Sequence, residues 1–513
     1  MRYIVVDAAE YTYPGEWNYQ SAANAVTLDT PRRTYAATQI LLSDVPDEGK
    51  ISVKTDGLPF SCEIYGLYPV NVERNEGIAP ENRAPHYPER IAPFLVYDCL
   101  RPYDGTIPVT KGDGGLYLAF VIPEETKPGT YKGQILVEDV RVPVTIEVYA
   151  AVVPEETLTI IQGYAQRQLE PYFHVQPGTP EWDEMDRRCI ALLRRMHQNM
   201  MYMRGPIVTN LGDNNRYAFD FTPMEESMRR YFALGMKFFN GPSVGWRKSW
   251  HESTILVNGD IPSMSYEGYC YLSQYLPALH DMLEKNGWLD KFIMGVADEP
   301  NTYNATEFRA LCGLIRKFVP DIRLVDAMSY GNLHGALDIW VPLNAEYDRH
   351  QKEMETLRAN GDEIWHYVCC GPREPGYINR FMDYPLLSTR YLFWGNYRYN
   401  LTGYLHWAAM CYQPGQDPFT ENCPEHHNTD SVCHLPAGDT HLIYPSDSGP
   451  WMSIRLENHR ASAEEYEMLK KLAETDRARA DAICAAVFRS FRDVEYDPHI
   501  FRAARRELLK ALS

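Results

Sequence analysis

The sequence predicts an α/β protein in which a (β/α)8 barrel is preceded by an N-terminal β-sandwich and followed by a helical C-terminal tail. Three observations carry this. The first 150 residues alternate apolar and polar with period two, as in Arg141-Val-Pro-Val-Thr-Ile-Glu-Val-Tyr-Ala150. From Leu158 onward, short apolar runs are separated by amphipathic helices, the pattern of parallel strands with crossover helices. Eight such runs fit into about 250 residues, the usual size of a barrel. The 513 residues also suit two to three domains. The expected division is residues 1–153 as sandwich, 154–461 as catalytic barrel with a C-terminal loop extension, and 462–513 as a tail packed on the barrel.

In the N-terminal part, Gly115–Ile122 reads as a strand and Pro128-Gly129 as a turn, and no strong helical period interrupts the stretch. Val153-Pro154-Glu155-Glu156 is the linker. The barrel strands are expected at Leu158–Tyr164, Met200–Arg204, Lys237–Asn240, Phe292–Ala297, Arg323–Ala327, Asp338–Pro342, Glu363–Cys369 and Gly403–Ala408. Between the first two, Thr179-Pro180 opens a helix whose Met185, Cys189, Leu192, Leu193 and Met196 share one face. Thr222-Pro223 opens the next and Gly235 closes it. Tyr266–Lys285 is a helix ended by Asn286-Gly287, and Asn304 with Glu307 resembles a capping box for another. The connection Met328–Leu337 is too short for a full helix. A helical tail is expected from Ser462 with Glu465 as a further capping box, and Arg505, Arg506 and Lys510 on its solvated face.

Composition narrows function by exclusion. Fifty Lys+Arg against 69 Asp+Glu give a formal charge of −19, a field that repels nucleic-acid phosphates and anionic lipid. The apolar run in Met1–Asp7 is too short for a secretory leader, and no stretch reaches the length of a membrane span. Eleven cysteines in no framework spacing fit reduced thiols, so the chain is expected in the cytoplasm unless a leader has been trimmed. Aromatic content is high, with 36 Tyr and 10 Trp, as interior packing or as rings lining a sugar site.

In a barrel, catalytic residues lie where strands end. The fourth strand ends in Gly295-Val296-Ala297-Asp298-Glu299-Pro300, two adjacent carboxylates; the competing reading is a helix N-terminus decorated with acids. Neighbouring carboxylates in a closed pocket cannot both ionise cheaply, so one pKa is expected to rise. A two-carboxylate glycosidase needs a partner acid across the barrel, but Trp365-His-Tyr-Val-Cys-Cys370 offers none. That absence favours a mechanism in which the substrate's own 2-acetamido oxygen is the nucleophile.

These residues, together with Trp365–Pro372, Arg390–Trp394, Gly403–Trp407, Tyr444-Pro445, Ser453–Glu457 and Arg460, resemble glycoside hydrolase family 123 and its uncharacterised relatives. The resemblance covers nearly the whole chain and is most specific from about residue 290 to 470. It implies an N-terminal sandwich, a barrel and an exo-acting β-N-acetylgalactosaminidase. In that case Glu299 is the general acid/base, and Asp298 stabilises the acetamido group and the oxazolinium intermediate.

Physical reading adds substrate-binding candidates. Trp407 could floor the sugar or sit in the core, and Tyr367 could bond the acetamido oxygen or be packed. Trp250 and His251 lie in a long loop, Gly241–Asp260, able to cover the pocket. No cofactor and no metal are expected. Cys423, His426, His427, Cys433 and His434 are dense in possible ligands, but their spacing fits no standard zinc module. Gly241-Pro-Ser243-Val-Gly245 matches a nucleophile elbow only formally, since no helix follows it. A different hexose, with Glu374 or Asp326 supplying the missing nucleophile or base, and a non-catalytic carbohydrate-binding protein are the alternatives. An oligosaccharide or glycoconjugate is the expected partner. Gln413–His441 and the tail are candidates either for a homodimer contact or for covering the barrel.

Overall fold

The computed structural model describes residues 1–75, 89–212, 214–328, 331–374, 376–427 and 432–513. Its N-terminal strands form two sheets. One has seven strands in the order Arg2–Asp7, Thr34–Ser43, Gly114–Ile122, Cys62–Val72, Phe94–Pro102, Trp451–Ser453 and Ile443–Tyr444, all antiparallel. The other has four, Val26–Arg32, Val140–Val152, Gly129–Val137 and Val53–Asp56. The period-two pattern explains their contact: Val142, Val144, Ile146 and Val148 point to one face and meet Ile40, Leu118 and Phe120 of the larger sheet in a single core. The opposite face of the larger sheet, with Leu41, Leu67, Val70 and Leu100, joins the core that continues around the barrel.

The barrel strands are Thr159–Tyr164, Met200–Tyr202, Phe238–Gly241, Phe292–Gly295, Arg323–Met328, Ile339–Pro342, a seventh in two pieces, Glu363–Ile364 and His366–Tyr367, and Gly403–Met410. All neighbours pair in parallel. The break at Trp365 lets the first piece pair with the sixth strand and the second with the eighth, so the ring is nearly closed. Ile161, Met200, Ile293, Val325, Ile339, Trp365 and Leu405 fill its interior. Each expected run holds a strand, with ends shifted by a few residues. Among the described residues the connection from fifth to sixth strand carries no helix. No helix among the described residues is long and apolar enough to cross a membrane.

Several local expectations are corrected. Asn304 does stand before the helix Ala305–Phe318, but Glu307 does not cap it. Its Oε1 instead accepts from the Ile255 amide at 3.0 Å and the Ser263 hydroxyl at 2.9 Å, tying down the long loop after the third strand. The helix assigned to the tail starts earlier, at Ile454, capped by Ser453, whose hydroxyl accepts from the Leu456 amide at 3.1 Å. Ser462 and Glu465 are therefore interior helix residues. Arg505 is not solvated: it is buried and its Nε lies 2.8 Å from Glu465. The segment just before that helix was expected to belong to the barrel's extension, yet Ile443–Tyr444 and Trp451–Ser453 extend the seven-stranded sheet.

Arg455, at the start of this helix, pairs with Asp98 at 2.9 Å with both side chains fully buried, and its Nη1 donates to the Gly438 carbonyl at 2.7 Å. Removing one partner of such a pair strands a buried charge. Arg455→Met is expected to lower unfolding stability by about 3–5 kcal/mol. Asp98→Asn added to it should restore part of that loss, both read as shifts of the urea midpoint at constant slope.

Candidate active site

The C-terminal ends of the barrel strands open into a cavity of about 1000 Å³. All six residues singled out in the sequence reach it: Asp298, Glu299, Tyr367, Trp407, Trp250 and His251. The carboxylate pair occupies a tight corner after the fourth strand. Asp298 and Glu299 both take left-handed backbone conformations, with φ of 54° and 35°. Two consecutive non-glycine residues there store strain, so the surroundings must hold them in place.

Asp326, near the end of the fifth strand, does this. Its Oδ2 accepts from three successive amides, Val296 at 3.2 Å, Ala297 at 2.9 Å and Asp298 at 3.2 Å. Arg247 grips the far side of the corner, its Nη2 donating to the carbonyls of Asp298 at 2.5 Å and Glu299 at 3.2 Å. Buried Asn301, just past Pro300, links the corner to the covering loop by donating from Nδ2 to the Trp250 carbonyl at 2.9 Å.

Asp298 keeps solvent contact through the cavity, and Glu299 is half-buried; the groups packed around them still shift the corner's titration. Desolvation and then the neighbouring Glu299 charge raise the Asp298 carboxyl to about 6, against the attraction of Arg247. Desolvation and the Asp298 charge push Asp326 up to about 8, even with three amides favouring its ionised form. Desolvation in turn lowers Arg247, while the three carboxylates oppose that shift. The sequence predicts a raised pKa in the pair as a general acid requires; it falls on Asp298, the member assigned to the acetamido group, so it does not mark the acid.

Tyr367 donates its hydroxyl to Glu299 Oε1 at 2.8 Å. Burial and the Glu299 charge push that phenol well above its ordinary value, so it stays a proton donor. Trp407 is half-buried, with Nε1 donating to Asp439 Oδ2 at 3.0 Å, and its ring borders the cavity. The eighth strand can bring it there because the first strand has Gly163 alongside: a Cβ on Gly163 would lie 1.8 Å from the Trp407 carbonyl oxygen. Trp250 is exposed, and His251 stacks edge-on between it and Tyr303, with ring centroids 5.0 Å apart on each side.

The other candidates separate. Glu374 lies outside the lining and pairs with Arg349. His426, His427 and Cys433 line the cavity wall, but the Cys and His side chains of that region are engaged separately. His426 Nδ1 meets Gln413 Oε1 at 3.1 Å and His434 Nδ1 meets the Cys423 carbonyl at 3.0 Å. Among the described residues their ligand atoms do not converge, and the one converging group is His280, Asp281 and Glu284 on the helix Tyr266–Asn286. Residues 428–431, between the two His/Cys strands, lie outside the described residues.

Sequence reasoning missed Arg247, Asn301, Tyr202 and Asn240 as parts of the site. Asn240, next to the last residue of the third strand, borders the cavity with its buried Oδ1 lacking a hydrogen-bond partner, so its place near the strand end was the usable signal. Arg247 had only its place in the covering loop.

A carboxylate pair at the mouth of a parallel barrel, walled by tryptophan and tyrosine rings, defines a sugar-cleaving barrel enzyme. The comparisons make this particular. Residues 206–472 match the family model described as glycoside hydrolase 123, catalytic domain. The chain belongs to glycoside hydrolase family 123. Its fold is similar to that of a family 123 glycoside hydrolase from Clostridium perfringens, whose structure was described in terms of glycolipid glycan hydrolysis. That likeness has a TM-score of 0.76 at 14% identity and covers 100% of this chain and 97% of that one. A family 39 glycoside hydrolase from Bacteroides cellulosilyticus is more distant, with a TM-score of 0.36 at 12% identity over 81% of this chain and 80% of that one. No curated protein matches this sequence.

Asp326→Ala deprives three amides, two of them buried, of their acceptor at once. It is expected to cost about 1–3 kcal/mol of stability. It should also lower kcat more than it raises KM, because the corner loses its geometry; steady-state kinetics on the folded variant checks this.

Proposed function

We propose that this family 123 enzyme is a retaining, exo-acting glycosidase that removes terminal β-linked N-acetylgalactosamine by substrate-assisted catalysis. One observation carries the reading. Among the described residues lining the cavity, the carboxylates are Asp298, Glu299 and Asp326. The third has an oxygen committed to three amides. Among the described residues no acid stands opposite the pair to serve as an enzymic nucleophile, which favours the substrate's acetamido oxygen in that part.

In this mechanism the sugar ring lies against Trp407. Glu299, protonated, gives its proton to the glycosidic oxygen as the bond to C1 breaks, and the acetamido oxygen closes on C1 to form the oxazolinium. Asp298, ionised, accepts the acetamido N–H and stabilises the positive charge that spreads onto that nitrogen. Glu299 then takes a proton from the water that attacks C1 from the vacated face, so two inversions return the starting configuration. Tyr367, whose hydroxyl donates to Glu299, gives up that bond when substrate binds and donates to the acetamido oxygen instead. Trp250 and His251 close the loop side of the site. A carbohydrate-binding protein without turnover would have no use for a strained corner of two carboxylates held by Asp326 and Arg247.

Aryl β-GalNAc, β-GlcNAc and β-galactoside assayed side by side test the reading. Turnover of the acetamido sugars is expected, with the plain galactoside slower by about two orders of magnitude or more. Equal rates on the galactoside would refute substrate assistance. Glu299→Gln is expected to lose about 10²–10⁴-fold on substrates with poor leaving groups while keeping its melting temperature.

The pH profile gives an independent check. The mechanism needs the Asp298–Glu299 pair to hold one proton, and the raised value of about 6, set partly by the Glu299 charge, marks the loss of that last proton. Log kcat/KM is therefore expected to fall as the pH rises through about 6. Asp298→Asn should shift that limb along with removing most of the activity.

A further inference from the structure

A second cavity, of about 990 Å³, adjoins the catalytic one. Tyr202, Met203 and Trp407 line both, so the two share a wall of aromatic and thioether surface. Their charges differ. The catalytic cavity is bordered by three carboxylates alongside Arg247 and Lys248, whereas the described lining of the second contains no Asp or Glu and two arginines, Arg167 and Arg204. Arg167 sits in the turn Gln166–Gln168 after the first barrel strand, and Arg204 follows the second.

In a chain with 69 acids against 50 basic residues, most buried or half-buried arginines have a carboxylate partner, as Arg195, Arg390, Arg455 and Arg460 do. Arg167 and Arg204 are exposed, and neither forms an ion pair among the described residues. The acid behind the wall, Asp186, is taken by Tyr164 at 2.7 Å and Arg230 at 2.7 Å. The rest of the lining suits a saccharide: Tyr172 and Tyr231 offer ring surface, and Gln166, Gln413 and Ser227 offer hydrogen bonds.

We infer that this cavity receives the unit on the leaving-group side of the scissile bond, and that it selects an anionic saccharide, one bearing a carboxylate or a sulfate, through Arg167 and Arg204. The inference rests on the glycosidase reading above, because the shared Trp407 wall places the second cavity next to the sugar cleaved by the pair. Guanidinium groups suit both anions, since their paired N–H donors match two oxygens of either. The overall negative charge of the protein makes the selection local: an anionic substrate is repelled by the surface at large and attracted where Arg167 and Arg204 border a cavity lined by no described acid.

The test uses three β-N-acetylgalactosaminyl disaccharides that differ only in the reducing unit, a neutral hexose, the corresponding uronic acid and the sulfated hexose. Calorimetric binding and kcat/KM are measured at low and high salt. At least one charged compound is expected to exceed the neutral one by about tenfold, with the advantage shrinking at high salt. The uronic acid and sulfate arms tell which anion is meant. Arg167→Met and Arg204→Met should each reduce the preference several-fold and together abolish it, leaving kcat/KM on aryl β-GalNAc within about twofold of wild type. Arg→Lys at both positions should keep part of it, which a fold defect would not.

Equal binding of neutral and charged compounds, or a preference untouched by the double substitution, overturns the inference. Absence of turnover on every aryl hexosaminide would instead overturn the glycosidase reading. The binding arm still decides the charge preference in that case.

Discussion

The helix Ile454–Ala473 is buried on every side through Leu469, although it carries Arg455, Glu457, Arg460, Glu464, Glu465 and Glu467. Charge at that depth is tolerable only when each group is paired, and the pairs reach into every part of the molecule. Arg455 goes to Asp98 in the seven-stranded sheet. Glu457 goes to Arg195 and Arg460, and Glu465 to Arg390 and Arg505. Glu467 accepts the amides of Thr157 and Leu158, where the chain enters the first barrel strand. One helix thus fixes the sheet, the barrel and the final helix against one another by directional contacts, which specify position more narrowly than apolar packing does.

The site inherits its precision from this frame through a few relays. Arg380, fully buried, donates from Nη1 to Gln162 on the first strand at 2.5 Å and from Nη2 to the Asp439 carbonyl at 2.9 Å. Asp439 in turn orients Trp407 and faces His406 at 3.2 Å. Desolvation, with Arg380 and Arg455 adding to it, holds His406 and His459 well below the ordinary imidazole range. They stay neutral and act as spacers rather than as titrating groups. On the opposite wall Asp326 and Arg247 hold the carboxylate corner. The Trp407 ring and the acids are therefore fixed by separate networks on opposite walls of the cavity.

Much of this was legible in the sequence because it rests on local patterning. Eight apolar runs marked the barrel strands, since a parallel strand buried on both faces has no choice but to be apolar. Asp298 and Glu299 stood out because strand ends in a barrel share one rim. What escaped was set by tertiary partners. Glu307 and Glu465 sit at capping-box spacing, yet their carboxylates serve a distant loop and a buried arginine, which no local rule can distinguish. The pairing of Trp451–Ser453 with Phe94–Pro102 spans more than half the chain and leaves no local trace. Arg247 lacked a signal because it binds carbonyls, and every residue has one.

The two left-handed residues at the carboxylate corner bear on how this enzyme can change over evolutionary time. A glycine at position 298 or 299 would relieve conformational strain on the order of 1 kcal/mol, so selection for stability alone pulls against the chemistry there. Lineages that abandoned catalysis would be drawn toward a relaxed corner and then lose the need for Asp326 and Arg247. A relaxed corner in a relative, without Asp326 and Arg247, would mark such a loss in its backbone geometry.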